Sequence, residues 1–140
     1  MDKQQIKLVQ DSFERIRNQR DEVAAIFYHN LFKLDPSLRP MFPSDMAVQR
    51  AKLMATLAFV VEGLDQLERL VPAVEALGVR HAQYGVEDRH YATVGATLLQ
   101  TLRQGLGPAL SSEAEAAWAR AYGILADVMM NAAGRELAAA

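Results

Sequence analysis

The stretch VEALGVRHAQYGVEDRHYATVGATLL, residues 74–99, decides the fold of this chain. Its first half predicts a helix, because Val74, Leu77 and His81 at positions i, i+3 and i+7 share one face. Gly85 follows at the point where such a helix would end. The helix therefore carries a histidine on an apolar face. Such a histidine is more often a core residue bonded to a carbonyl than a metal ligand, and this stretch alone leaves both interpretations open.

The second half of the stretch predicts another helix, in which Tyr91, Val94 and Leu98 line one face. Because only a short turn separates the two helices, the Tyr91 ring can be turned back toward His81. A buried imidazole with a phenol beside it is an arrangement that can hold and tune a metal from one side. His90, near the start of this helix, is expected to be a surface residue.

The composition predicts a single domain over residues 1–140. A chain of 140 residues that is 51% hydrophobic can bury a core without disulfides or metals to support it. The net charge of -2, with acids and bases interspersed, excludes nucleic acid and anionic membranes as expected partners. The absence of cysteine excludes disulfides, thiolate metal sites, thiol catalysis and covalent cofactor attachment through Cys-x-x-Cys-His. No signal peptide or membrane-spanning run is visible, so the cytoplasm is the expected location.

Helical periodicity recurs along the whole chain, and no strand-like alternation accompanies it. The pattern predicts an all-α architecture of six or seven helices with short connections. Helical structure is expected over about residues 2–132, and the alanine-rich residues 134–140 are expected to fray. Pro72 suits the first turn of the helix that bears His81.

Two aromatic residues in the first third of the chain are candidates for a pocket. Tyr28 lies on the inward face of a predicted helix, whereas His29 lies on its solvated face. Phe42 lies between Pro40 and Pro43, in a stiff segment that cannot form a long helix. An aromatic ring in such a segment either fills the core or forms a pocket wall. Composition alone favours the core.

A glutamine is out of place on the longest predicted helix, which begins at Ser44 or Asp45 and ends near Leu67. Gln49 lies on the buried stripe of this helix. Burying an amide without a partner costs about 1 to 3 kcal/mol. Gln49 therefore has a partner, faces a cavity that holds one, or lies at the protein edge.

Together these residues resemble the globin family, specifically single-domain bacterial haemoglobins similar to the globin portion of flavohaemoglobins. The resemblance extends over about residues 5–130, and its elements recur in order and at the expected separations. It is carried by Phe27-Tyr28, Leu31-Phe32-Lys33, Asp35-Pro36, Phe42, Gln49, Lys52-Leu53-Met54, Leu77-Gly78, Arg80-His81, Gln83-Tyr84-Gly85-Val86, His90-Tyr91, Val94-Gly95, Trp118 and Ala121-Tyr122-Gly123.

The resemblance implies haem b, held non-covalently between the helix of Gln49 and the helix of His81. It implies His81 as the proximal iron ligand and Phe42 stacked on the porphyrin. Tyr28 and Gln49 would then donate hydrogen bonds to a gas on the distal side. The same match implies further haem-binding residues, namely Lys52, Leu53, Leu77, Tyr91 and Val94.

The resemblance also bears on the charge around the haem. Lys52 or Arg50 is expected to pair with a propionate. Tyr91 matches the tyrosine that polarises the proximal histidine in flavohaemoglobin-like proteins. The glutamate that assists it would fall at about Ala133, and Glu136 lies one helical turn later, so the role is not carried over. This departure shifts the expectation from oxygen activation toward storage or slow release.

The function that the resemblance implies is reversible O2 binding with high affinity, with NO and CO as further ligands. Nitric oxide dioxygenation is kept as a secondary activity, whose turnover needs electrons from a separate flavin-dependent reductase. The chain is expected to be a monomer. The alternative function is that of a globin-fold gas or stress sensor, or an interaction module.

Overall fold

The computed structural model describes residues 1–139, with side chains to residue 136. This part of the chain forms six α-helices and no strand, which confirms the all-α prediction. The helices are α1 (Lys3–Ile16), α2 (Arg20–Leu34), α3 (Ala47–Glu62), α4 (Leu67–Gln83), α5 (Asp88–Leu106) and α6 (Ser112–Ala139). Short 3-10 turns connect several of them. Over residues 1–139, no helix is both long enough and apolar enough to cross a membrane.

Helix α1 is capped at its start and anchored near its end. The Asp2 side chain accepts a hydrogen bond from the Gln5 N–H, and the Gln5 side chain accepts one from the Asp2 N–H, which forms a capping box. The indole N–H of Trp118 on α6 donates to the Ser12 hydroxyl at 2.8 Å. The Phe13 and Trp118 rings lie 6.3 Å apart. These contacts fix α1 against α6 inside the core.

Helices α4 and α6 cross at very close range because Gly78 has no side chain. A Cβ at this position would lie 2.6 Å from the Met129 Cα, which is shorter than a non-bonded contact allows. Gly85 follows α4 with a φ of 92°, as expected for the residue that ends it. The start of α4 differs from the prediction. It begins at Leu67, so Pro72 lies inside the helix and not in its first turn, and its ring is exposed to solvent.

Helix α3 is shorter than predicted. It begins at Ala47, whose N–H donates to the Asp45 carboxylate at 3.0 Å, and it ends at Glu62, where Gly63 and a 3-10 turn follow. The apolar pattern continues through this corner, which explains why the sequence predicted one helix to Leu67. The two helices on either side of the corner have different partners, because α3 packs on α2 and α1 whereas α4 packs on α6.

Helix α6 extends further than predicted, and it is the longest helix of the described residues. It runs to Ala139, past Gly134, where the sequence indicated a frayed tail. An ion pair between Arg135 and Glu75 of α4 holds the last turns of α6 in place. Residue 140 lies outside the described part of the chain.

Candidate functional site

The first half of the site is a hydrogen-bonded pair on α2 and α3. Tyr28 is only 6% exposed, and its hydroxyl oxygen accepts a hydrogen bond from Gln49 Nε2 at 3.1 Å. Tyr28 is therefore the partner that the half-buried Gln49 amide requires. Burial raises the pKa of Tyr28, although the bond from Gln49 lowers it in part. The phenol stays protonated at neutral pH and keeps its own O–H for a second acceptor.

Three aromatic rings pack around the Tyr28 ring and form an aromatic wall. The Tyr28 ring lies 5.1 Å from Phe27, 5.9 Å from Phe32 and 5.5 Å from Phe42, measured between ring centroids. Phe42 is half-buried, so part of its ring is not covered by protein. Phe42 packs against the core, and its interpretation as a pocket wall stays a prediction. Sequence analysis placed Tyr28 on an inward helix face but did not predict this aromatic cluster.

The second half of the site is His81, which is half-buried on α4. Its Nδ1 lies 2.9 Å from the Leu77 carbonyl oxygen. Since a carbonyl can only accept, Nδ1 carries the proton and Nε2 keeps its lone pair. Burial lowers the pKa of His81; the Leu77 bond opposes this, and the charge of Arg80 adds to it. The ring is therefore neutral, which is the form that binds a metal.

Tyr91 is buried on α5 and is tied to α6. The Tyr122 hydroxyl donates to the Tyr91 carbonyl at 2.6 Å. Burial raises the pKa of Tyr91, and the nearby Asp88 carboxylate adds to the increase. The approach of the Tyr91 ring to His81 stays a prediction. Glu136 is exposed near the end of α6, and its role also stays a prediction.

His90 is buried, with 6% of its surface exposed, so its prediction as a surface residue is wrong. Its Nδ1 accepts a hydrogen bond from the Glu87 N–H at 2.8 Å, and the His90 N–H donates to the Glu87 backbone carbonyl at 2.9 Å. The imidazole therefore caps α5. Position near a helix start suggested exposure, whereas the side chain folds back over the first turn. His29, by contrast, is exposed as predicted.

The remaining predicted residues lie on α3, α4 and α5 and differ in their exposure to solvent. Three apolar side chains pack against the core but are only partly covered, namely Leu53, Leu77 and Val94. Lys52 is exposed. The Arg50 guanidinium pairs with Asp21 at the start of α2, with 2.9 Å between Nε and Oδ1. Arg50 is thus already paired, which leaves Lys52 as the better candidate for an anionic group.

These features fit a flat, apolar, iron-containing macrocycle. A neutral imidazole with a free lone pair lies on one helix, and a buried donor pair lies on another. Partly covered apolar side chains lie on the helices that carry these groups and on α5. Haem needs these three elements: an axial ligand, an apolar bed and polar groups on the opposite face. The fold and site together define the class of helical haem-binding proteins.

The comparisons give the family within this class. The family model named Globin matches residues 25–129, and the chain belongs to the globin family. A flavohemoprotein of Bordetella parapertussis is 38% identical over 115 residues, which cover 80% of this chain and 28% of that protein. A flavohemoprotein of Bacillus subtilis is 26% identical over 133 residues, which cover 93% of this chain and 33% of that protein. The chain thus spans about a third of these relatives.

Solved structures extend the likeness to the backbone. An engineered carbene transferase, described as a "putative nitric oxide dioxygenase from Rhodothermus marinus", has a TM-score of 0.88 and 25% identity, covering 99% of this chain and 97% of that chain. A bacterial globin from Campylobacter jejuni has a TM-score of 0.86 and 24% identity, covering 97% and 99%. A flavohemoglobin from Malassezia yamatoensis with bound FAD and heme has a TM-score of 0.82 and 18% identity, covering 98% and 37%. The last two structures are less than 25% identical to this chain, so their similarity shows the fold alone.

Proposed function

We propose that this globin binds O2 reversibly and tightly at haem b, with the Tyr28 and Gln49 pair as the distal donors. The hydrogen bond from Gln49 Nε2 to the Tyr28 hydroxyl oxygen, at 3.1 Å, is the observation that carries the proposal. When bound, haem supplies an iron atom that takes up a small gas such as O2, NO or CO.

His81 is the proposed axial ligand. Its bond to the Leu77 carbonyl orients the ring and leaves Nε2 as the ligating nitrogen. Phe42 would supply an aromatic surface for the porphyrin. Lys52 would pair with a propionate. Leu53, Leu77 and Val94 would supply apolar contacts, and Tyr91 would support His81.

The direction of the distal hydrogen bond sets the roles of the two donors. Because Gln49 donates to Tyr28, the Tyr28 O–H is the donor that remains for the ligand. A ligand that gains negative charge on binding, as O2 does, benefits more than CO. Each donor contributes about 1 to 3 kcal/mol in a dry pocket, or roughly ten- to a hundred-fold in affinity, mainly through slower release.

The aromatic wall supports this role because it excludes water from the phenol. Phe27, Phe32 and Phe42 lie within 5.9 Å of the Tyr28 ring, measured between centroids. Water that reached the hydroxyl would compete with the ligand for its proton. A dry donor is also worth more, since the local dielectric constant is lower.

Nitric oxide dioxygenation to nitrate is proposed as a second activity. The name of the Rhodothermus marinus protein supports it, and the names of the flavohemoprotein relatives support a flavin-containing partner. Conversion of NO and O2 to nitrate takes up one electron, so turnover would require an electron donor, for which a flavin-dependent reductase is proposed. The proximal glutamate expected for strong oxygen activation has no certain counterpart at Ala133 or Glu136, and this favours binding as the main role.

A hemin titration tests whether the chain binds haem, on which the rest of the proposal depends. The purified chain should bind one equivalent of hemin, develop the strong haem absorption band and give an oxygenated spectrum after reduction. His81→Ala should bind hemin more weakly, whereas the exposed-histidine control His29→Ala should match the unmodified protein. A chain that binds no hemin and gains no melting temperature from it contradicts the proposal. That result would favour a haem-free sensor or interaction module.

Nitric oxide consumption separates the two activities. The oxygenated protein should consume about one equivalent of NO alone, and many equivalents when a generic flavin reductase and a nicotinamide cofactor are added. Consumption that stops after one equivalent with the reductase present would rule out the dioxygenase and leave the carrier.

A further inference from the structure

Arg39 holds three consecutive backbone carbonyls beside the pocket. It lies in the 3-10 segment Pro36–Met41 and is half-buried. Its Nη1 donates to the carbonyls of Phe42 at 3.2 Å and Pro43 at 3.0 Å, and its Nη2 donates to the carbonyl of Ser44 at 3.2 Å. One planar guanidinium thus fixes the path of residues 42–44.

The same guanidinium lies over an aromatic ring of the pocket wall. Its Cζ is 5.2 Å from the centroid of Phe32, and the Phe32 and Phe42 centroids are 5.4 Å apart. A cation over an aromatic face is attracted by the ring's negative charge density. Among the described residues no carboxylate pairs with Arg39. Its recorded hydrogen bonds all go to the turn that carries Phe42.

The sequence of this segment explains why a side chain has to hold it. Pro40 and Pro43 have no N–H, so the chain around Phe42 has few backbone donors with which to fix its own shape. The donors of Arg39 take their place. The segment continues into α3, which carries Gln49, and Phe42 lies against Tyr28 at 5.5 Å. The position of the distal pair therefore depends on this turn.

We propose that Arg39 is a positioning residue that sets the rate of ligand release by holding Phe42 against Tyr28. This inference rests on the proposed function, because it assigns Arg39 a part in the distal donor pair. The sequence offered no signal for it, since the three carbonyls come together only when the turn has formed. The Arg39 side chain donates no hydrogen bond to Tyr28 or Gln49. It therefore acts on Tyr28 through the aromatic wall.

The kinetic test compares Arg39→Gln and Arg39→Lys with Arg120→Gln, a change of an exposed arginine on α6. Arg39→Gln should speed O2 dissociation from the haem-loaded protein by about three- to ten-fold. Arg39→Lys should give a smaller increase, because an ammonium keeps the charge but lacks the planar fork. Arg120→Gln should stay within about twofold of the unmodified protein. If Arg39→Gln does not fold, Arg39→Lys carries the test.

A double-mutant cycle distinguishes positioning from loss of stability. In a Tyr28→Phe background, Arg39→Gln should add less than about twofold to the dissociation rate, because its effect passes through the Tyr28 hydroxyl. The infrared C–O stretching band of the CO-saturated protein gives an independent readout. Loss of a donor near the CO oxygen raises this frequency, so Arg39→Gln should shift the band in the same direction as Tyr28→Phe.

The outcomes distinguish failure of the Arg39 role from failure of the proposed donor role of Tyr28. If Tyr28→Phe speeds release and shifts the band while the folded Arg39 variants do neither, the inference is overturned and the donor role stands. If the two substitutions add their full effects, Arg39 acts elsewhere and the inference also fails. If Tyr28→Phe itself changes neither quantity, the donor role fails and the inference with it.

Discussion

At the scale of single residues, the hydrogen bond between Gln49 and Tyr28 has a defined direction. The Gln49 amide donates and the Tyr28 oxygen accepts, at 3.1 Å. The phenol therefore presents its proton elsewhere, while the amide holds the oxygen in place. Gln49 acts on Tyr28, and Tyr28 acts on the ligand. Substitution of Gln49 is therefore expected to have a different effect from substitution of Tyr28.

The first prediction concerns O2 release from the haem-loaded protein. Tyr28→Phe removes the phenol O–H that is proposed to donate to the ligand and should speed dissociation by roughly ten- to a hundred-fold. Gln49→Leu removes the group that holds the phenol and should give a smaller increase. Stopped-flow replacement of O2 by CO measures both. Tyr84→Phe, at a side chain that is 71% exposed, is the matched control. Rates within twofold of the unmodified protein for both pocket variants would refute the hydrogen-bond account.

Sequence reasoning reached the site residues but not their pairings. It placed Tyr28 inward and required a partner for Gln49, because burying an amide alone is costly. It could not name Tyr28 as that partner, since the contact depends on how α2 and α3 cross. Arg39 and His90 were missed for the same reason. Each side chain folds back onto backbone groups whose positions the linear sequence does not contain.

At the scale of helices, the crossing of α4 and α6 gives a second prediction. Gly78→Ala would place a methyl group 2.6 Å from the Met129 Cα, so the helices must separate. We expect a loss of about 3 kcal/mol in the free energy of unfolding, measured with urea. Hemin should also bind more weakly, because Gly78 precedes His81 by one turn.

Gly123→Ala on α6 is the control for this change. A Cβ there meets no atom within 4 Å, so the substitution should stabilise the exposed helix by about 0.5 to 1 kcal/mol. Equal effects of the two substitutions would show that helix propensity, and not the close crossing, governs both positions.

The cap of α5 gives a third prediction. His90→Ala removes the acceptor for the Glu87 N–H and leaves a space in a buried site, and it should cost about 1 to 2 kcal/mol. His90→Gln keeps an acceptor of the kind that capping boxes use at this position and should recover part of the loss. Urea unfolding at neutral pH measures both. A Gln variant no more stable than the Ala variant would argue against the cap.

Helix existence was easier to predict than helix boundaries. The apolar spacing identified the helices of Tyr28, Gln49, His81 and Tyr91, since each buries one face. The spacing predicted that α3 continues to Leu67, because apolar residues recur at helical intervals through the corner after Glu62 and no proline or glycine pair interrupts them. It ended α6 too early, because the ion pair of Arg135 with Glu75 is a tertiary contact.

At the scale of the whole molecule, three buried phenols link stability to alkaline pH. Burial raises the pKa of Tyr28, Tyr91 and Tyr122, in the last case with a contribution from nearby Tyr91. The folded state therefore holds these protons more tightly than the unfolded state. Their stabilising contribution is complete below the ordinary tyrosine pKa of about 10 and is lost as pH rises above it.

The fourth prediction follows from this linkage. Urea unfolding should show stability falling from pH 10 upward, and Tyr122→Phe should make the fall less steep. The variant should also lose about 1 kcal/mol at neutral pH, because the Tyr122 hydroxyl donates to the Tyr91 carbonyl at 2.6 Å. An unchanged slope would mean that Tyr122 ionises no later in the folded protein than in the unfolded chain.

The fold class followed from the sequence because helical periodicity and a lack of alternation are global properties. The arrangement of the helices did not follow in the same way. The sequence shows Gly78 only as a small residue in α4. The structure shows that its missing side chain allows the close contact with Met129 of α6. The packing of α3 on α2 and of α4 on α6 likewise depends on contacts between residues that are distant in the sequence.

The sole tryptophan has an optical consequence. Trp118 is buried and its indole is bonded to Ser12, so its fluorescence comes from one defined environment in the centre of the fold. A porphyrin absorbs light at the wavelengths that indole emits, and would therefore quench this emission by energy transfer. The protein thus carries an intrinsic probe: dim emission marks the loaded state, brighter emission the empty state, and a red-shifted spectrum the unfolded chain.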